Sequence, residues 1–140
     1  MKERYILEAL QSTVVNAIET VNPSMVIKAI GRTVKPATTG IWVELIHIPN
    51  NYEGEMWGSD KTYRGLFRVV FHQKMDDTGA YPLLDIVKSV SELLPKGLLC
   101  TDSGNNVSVK ISDSPNVTGI FEETPELIIP LSLRYICFTT

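Results

Sequence analysis

Tyr63-Arg64-Gly65-Leu66-Phe67-Arg68-Val69-Val70-Phe71-His72-Gln73 is dense in aromatic and β-branched residues, and its centre, Leu66 to Phe71, is apolar on both alternating faces apart from Arg68, so both faces look largely buried. A strand half-exposed to water alternates apolar with polar side chains, whereas a strand covered on both sides is apolar throughout. The segment therefore reads as the central strand of a sheet.

Upstream, Ile41 to Ile48 is a second strand, with Ile41, Val43, Leu45 and His47 facing one way and Trp42, Glu44, Ile46 and Ile48 the other. Pro49-Asn50-Asn51 ends it. The short Val/Ile-rich run Met25 to Ile30 is a third strand. Before it, Leu7, Leu10, Val14, Ile18 and Val21 recur at steps of three and four, flanked by Ile6 and Ala17, which predicts a helix from about Lys2 to Val21. Asn22-Pro23 stops it, because the residue before proline is pushed out of the α region.

Downstream, Met75-Asp76-Asp77-Thr78-Gly79 is a turn in which Asp77 is placed to cap the next helix. Pro82 sits near that helix's first position, where a missing N–H costs nothing. Leu83, Ile86, Val87, Val90, Leu93 and Leu94 form its apolar stripe, and Pro95-Lys96-Gly97 terminates it. Asn106 to Ile111 alternates as a half-buried strand. Val117 to Thr124 fits neither pattern. Leu127 to Phe138 is the last strand, with Ile129, Leu131, Leu133, Tyr135 and Cys137 on one face; Pro130 predicts an edge position or a bulge near its start. The order implies one domain over residues 1–140, an α+β fold with two helices packed on one face of a mostly antiparallel, mixed β-sheet.

Composition limits the function. The chain has 140 residues, 44% hydrophobic and 21% charged, with a formal net charge of -3 and basic residues scattered along it. A protein that grips nucleic acid by neutralising phosphates carries a basic surplus or cluster, so tight nucleic-acid binding is not expected. Cys100 and Cys137 each sit in an apolar stretch and read as buried thiols. The N-terminus lacks the pattern of a signal peptide, and Pro130, Ser132 and Arg134 interrupt the longest apolar stretch. No membrane partner is expected, and the protein should be made and used in a cytoplasm.

No chemistry-bearing motif emerges. His47 and His72 lie on different predicted strands, with no second ligand at metal spacing, and there is no CxxC or HExxH. There is no GxSxG and no phosphate-cradling glycine cluster. The pairs Asp76-Asp77 and Glu122-Glu123 read as solvated turn residues. The expectation is no enzyme, no cofactor and no metal. What stands out is a polar connection from Pro49 to Thr62 that holds Tyr52, Met56 and Trp57. Loops of that length in compact domains are usually functional, and exposed aromatic and Met residues mark protein contacts. Tyr52, Met56 and Trp57 are therefore candidate interface residues. The alternative is that Trp57 folds back to cover its own domain.

One resemblance spans nearly the whole chain. It is carried by the opening helix, Trp42-Val43-Glu44-Leu45, the long loop, Arg64-Gly65-Leu66-Phe67-Arg68-Val69-Val70-Phe71, the Gly79 turn, Tyr81-Pro82-Leu83 and Pro95-Lys96-Gly97. It continues through Val107-Ser108-Val109-Lys110-Ile111 and Pro130-Leu131-Ser132-Leu133-Arg134-Tyr135. This ordering resembles the small tail terminator proteins of siphophages, the lambda minor tail protein U-like group, by pattern and length without a diagnostic motif. The resemblance implies a structural virion protein that forms a homo-hexameric ring. Such a ring sits on the last ring of tail tube protein, stops tube polymerisation and offers a surface to head-completion proteins. DNA is met only in passage through the lumen, and the place of work is the host cytoplasm during assembly and then the virion. Rings need heterologous contacts, and the Pro130 end of the last strand is a natural sheet edge for one. Rival readings are another head-to-tail connector, a monomeric binding module using the same loop, or a small α+β enzyme with an unrecognised pocket.

Overall fold

The computed structural model describes residues 3–23, 25–31, 41–49, 61–75, 79–102 and 107–139. Helix α1 (Glu3–Val21) precedes strands β1 (Val26–Lys28), β2 (Ile41–Pro49) and β3 (Lys61–Lys74). Helix α2 (Tyr81–Glu92) follows, then β4 (Leu99–Asp102), β5 (Val107–Ile111), β6 (Asn116–Val117), β7 (Phe121–Glu123) and β8 (Glu126–Thr139). The main path through the sheet is β1-β2-β3-β8-β5-β4, with β6 and β7 also paired to β8. Only β1 to β2 is parallel; every other pairing is antiparallel. The fold is α+β, with both helices against one face of the sheet.

Period-2 alternation decides which face the helices cover. On β3, Tyr63, Phe67, Val69 and Phe71 point to the helix side. On β8, Leu127, Ile129, Leu131, Leu133, Tyr135 and Cys137 do the same, as do Val43 and Leu45 on β2. On α1, Ile6, Ala9, Leu10, Val14, Ala17 and Ile18 meet them; on α2, Leu83, Val87 and Val90 do. Each fully buried Leu, Ile or Phe stabilises the fold by about 1.5–3 kcal/mol. Cys100 and Cys137 are both buried in this core.

β3 is central: Phe67, Val69 and Phe71 are buried on its helix side, and Val70 and His72 are buried on the other, where Arg68 breaks the apolar run. It pairs along its whole length with β8, in register from Lys61 opposite Thr139 to Lys74 opposite Glu126. Its other side pairs with β2. β8 is equally interior: its far side is taken in turn by β5, β6 and β7.

This corrects the edge expected at Pro130, which lies opposite Val70 inside the sheet. Its carbonyl accepts from the Thr118 N–H at 3.2 Å, so its backbone polar groups face the side away from β3. There, between Val117 of β6 and Phe121 of β7, no strand runs. The missing proline N–H thus meets an interruption in pairing, the usual tolerance for proline in a sheet.

Other expectations shift in detail. The Met25–Ile30 strand contracts to Val26–Lys28 and ends before Gly31, whose φ of 77° suits glycine. α2 ends at Glu92; Leu94 lies beyond its end yet is fully buried, while Leu93 is exposed. Asp77 lies outside the described residues, and the N-cap position belongs to Ala80, which makes no side-chain cap. β4 was not anticipated. Gly97, at φ 90°, turns the chain so that its N–H reaches the Ile111 carbonyl at 2.7 Å, and Leu98-Leu99-Cys100 is laid beside β5. The unassigned stretch from Val117 onward contains β6 and β7, with a cis Thr124–Pro125 bond in the turn before β8.

Candidate functional site

The face of the sheet turned away from the helices carries the unusual chemistry. The registers fix its rows. Trp42, His72, Ile128 and Phe121 stand side by side; then Lys28, Glu44, Val70 and Pro130; then Ile46, Arg68, Ser132 and Asn116; then Ile48, Leu66 and Arg134; then Arg64, Ile136 and Lys110. No element of the main sheet path or helix layer covers this face among the described residues. Ile46 and Ile48 are exposed on it.

At one end lies an aromatic–acidic cluster. The His72 imidazole stacks on the Trp42 indole, with centroids 3.9 Å apart and planes within 9°. His72 Nε2 lies 3.5 Å from a Glu44 oxygen, and Nδ1 lies 3.6 Å from a Glu126 oxygen. Those distances exceed hydrogen-bond length, and neither ring nitrogen has a hydrogen-bond partner among the described residues. The Trp42 Nε1–H donates to Glu126 at 2.9 Å, and Lys28 Nζ lies 3.8 Å from Glu44. Neither Glu44 nor Glu126 stands near His72 in sequence; the strand registers bring these two in. Among the described residues, no group of three His, Cys, Asp or Glu is placed to hold a metal.

At the other end are two adjoining shallow cavities of about 390 and 350 Å³, which share Leu66, Asp113 and Arg134. Arg64 and Tyr135 line the first, Arg68 and Ser132 the second. Three arginines thus face one aspartate. Arg68 and Ser132 are cross-strand neighbours, and Ser132 is only 8% exposed. Arg68 Nε and Ser132 Oγ are buried without a hydrogen-bond partner among the described residues. Buried polar atoms left unpaired are costly, so each marks a place where a partner would be stabilising.

His47 lies on the helix side. Its Nε2 is 2.6 Å from the Tyr135 hydroxyl, and burial pushes its pKa below the ordinary value. The Tyr135 ring lies over Gly65, its cross-strand partner; a Cβ there would stand 2.7 Å from the hydroxyl and 2.8 Å from the Ile48 carbonyl oxygen. Burial likewise raises the Cys100 thiol pKa, against a smaller lowering from Thr13.

Of the residues singled out from sequence, Tyr52, Met56 and Trp57 lie outside the described residues. Pro130 is half-buried on the helix-free face, in the row between the two ends just described. The arginine groove and the His72 cluster were missed. Alternation alone places Arg64, Leu66 and Arg68 together, and Ser132 with Arg134; nothing in one sequence shows that the two sets meet across β3 and β8.

No family model and no curated protein sequence matches the chain. Solved structures share its fold, two among them as follows. One matches over 100% of this chain and 98% of its own length at a TM-score of 0.82 and 16% identity. The other is a chain in the virion of a native gene transfer agent particle, covering 93% of this chain and 95% of its own at a TM-score of 0.59 and 13% identity. Identities this low establish a common fold.

Proposed function

We propose that this chain is a structural virion protein of a phage-like particle, and within that class a tail terminator. It assembles as a homo-hexameric ring on the end of the tail tube, stops tube polymerisation and presents a joint to head-completion proteins. DNA passes through the lumen, and the protein performs no catalysis. One observation carries the reading: the fold is matched over nearly its whole length by a chain of a gene transfer agent virion. The ordering of motifs along residues 1–140 supports the finer assignment, and so does a helix-free sheet face of mixed apolar and charged character, suited to subunit contact. Tyr52, Met56 and Trp57 remain the anchors proposed for a neighbouring subunit or the tube.

The test is size-exclusion chromatography with light scattering, alone and with purified tail tubes, followed by electron microscopy. A ring capping one tube end, and tubes that cease to lengthen, are expected. A strictly monomeric protein at high concentration, with tubes that elongate unhindered, overturns the reading. Trp57→Ala is expected to leave the circular dichroism spectrum intact while assembly fails.

A further inference from the structure

The two ends of the helix-free face differ in charge, and a second charged element lies at the far end of β8. The β7–β8 hairpin presents Phe121, Glu122 and Glu123, all exposed, with Ile120 beside them also exposed. It couples two carboxylates to an apolar surface. The groove at the other end couples Arg68 and Arg134 to Leu66, with Asp113 the one acid lining it among the described residues. Among its lining atoms, Arg68 Nε and Ser132 Oγ are buried without a hydrogen-bond partner among the described residues. A guanidinium nitrogen and a hydroxyl without such an acceptor fit a carboxylate, the acceptor-only side chain.

The hairpin and the groove cannot meet within one chain. Glu123 lies opposite Glu126 at the start of β8, and Arg134 is about 27 Å further along the same strand. A complementary pair at opposite ends of one rigid strand makes a head-to-tail, heterologous contact, which closes into a ring when the rotation per subunit permits.

We propose that the acidic β7–β8 hairpin of one copy docks in the arginine groove of the next, with Glu122 or Glu123 accepting from Arg68, Arg134 and Ser132, and Phe121 lying against the apolar strip of Ile48 and Leu66. This rests on the ring reading above and names the surfaces that build the ring.

Charge exchange in the full-length protein tests it. Glu122→Arg with Glu123→Arg leaves hairpin and groove both basic; Arg68→Glu with Arg134→Glu leaves both acidic. Each double variant is expected to raise the apparent Kd for self-association at least about a hundredfold, since like charges are then juxtaposed. An equimolar mixture of the two is expected to recover assembly by alternating copies, as is the chain carrying all four changes. Light scattering reads assembly, and circular dichroism confirms that each variant is folded. Because Arg68 is half-buried, the exposed Arg134→Glu alone serves as a second groove variant.

Wild-type-like association of every variant, or a mixture of folded variants that stays dissociated, overturns the pairing while leaving the ring reading in place. A wild-type chain that never self-associates removes both. If Arg134→Glu abolishes binding of a fluorescent duplex oligonucleotide yet leaves self-association unchanged, the groove serves a phosphate backbone and the pairing is refuted.

Discussion

Replacing Gly65 with alanine should destabilise the protein far more than one methyl group suggests. The added Cβ would lie 2.7 Å from the Tyr135 hydroxyl, 2.9 Å from Tyr135 Cε1 and 2.8 Å from the Ile48 carbonyl oxygen. The side-chain contacts are relieved only if Tyr135 swings aside, and Tyr135 is 3% exposed and paired with His47 at 2.6 Å. The carbonyl contact is relieved only if β2 moves. Overpacking costs about 1–3 kcal/mol, and loss of the buried hydrogen bond adds about 1–3 kcal/mol. Removing a glycine from a strand returns about 0.5–1 kcal/mol. The net expectation is a loss of about 1–5 kcal/mol. Urea unfolding with linear extrapolation measures it, and an unchanged m-value shows that the denatured state is the same. Tyr135→Phe deletes the atom nearest the new Cβ, so the double variant should lose less stability than the two single changes together, by at least about 0.5 kcal/mol. A Gly65→Ala protein within about 0.5 kcal/mol of wild type would refute the packing argument, because surface-like changes fall in that range.

Three further outcomes are expected. His47 has its folded pKa below the ordinary 6.5 through burial. The unfolded chain then binds more protons between the two values, so the His47 contribution is fully present above about pH 6.5 and is lost as pH falls toward the folded value. His47→Gln should flatten that part of the stability–pH profile in urea titrations; an identical slope would contradict the assignment. Cys100 and Cys137 are 1% exposed, so an aromatic disulfide reagent should react with them only as fast as the protein opens, and rapid labelling under native conditions would show that the core is open there. Phe67→Ala, at the centre of β3 with no exposed surface, should cost about 3–5 kcal/mol in urea unfolding, and a loss under 1 kcal/mol would mean that β3 is not the core strand.

Much of the fold was legible because its elements announce themselves locally. The four-residue steps of Leu10, Val14 and Ile18, the β-rich run from Phe67 to Phe71 with Phe67, Val69 and Phe71 on one face, and the clean alternation from Ile129 to Cys137 each point to one secondary structure and one buried face. Short pairing segments were less visible. Leu99 to Asp102 carries too few residues for a period, and it is a strand because Gly97 and the Ile111 carbonyl aim it along β5. Pro130 misled because proline reports only that one N–H is missing; whether that gap faces solvent or a break between two neighbouring strands is a tertiary matter. The helix-free face was illegible for the same reason. Arg68 with Ser132, and His72 with Glu44 and Glu126, become neighbours only once the registers of β2, β3 and β8 are fixed.

β8 also dictates when the molecule can exist. It is translated after every other element, yet it occupies the middle of the sheet, with β3 on one flank and β5, β6 and β7 on the other. A ribosome-bound chain that stops short of Glu126 leaves two bare strand borders with nothing between them, the kind of unfinished surface that invites aberrant pairing. Every lasting tertiary contact across the centre must await the synthesis of β8, and such long-range closure is slow. A chain that lacks β8 therefore has no finished sheet, and only chains that carry it can hold this fold.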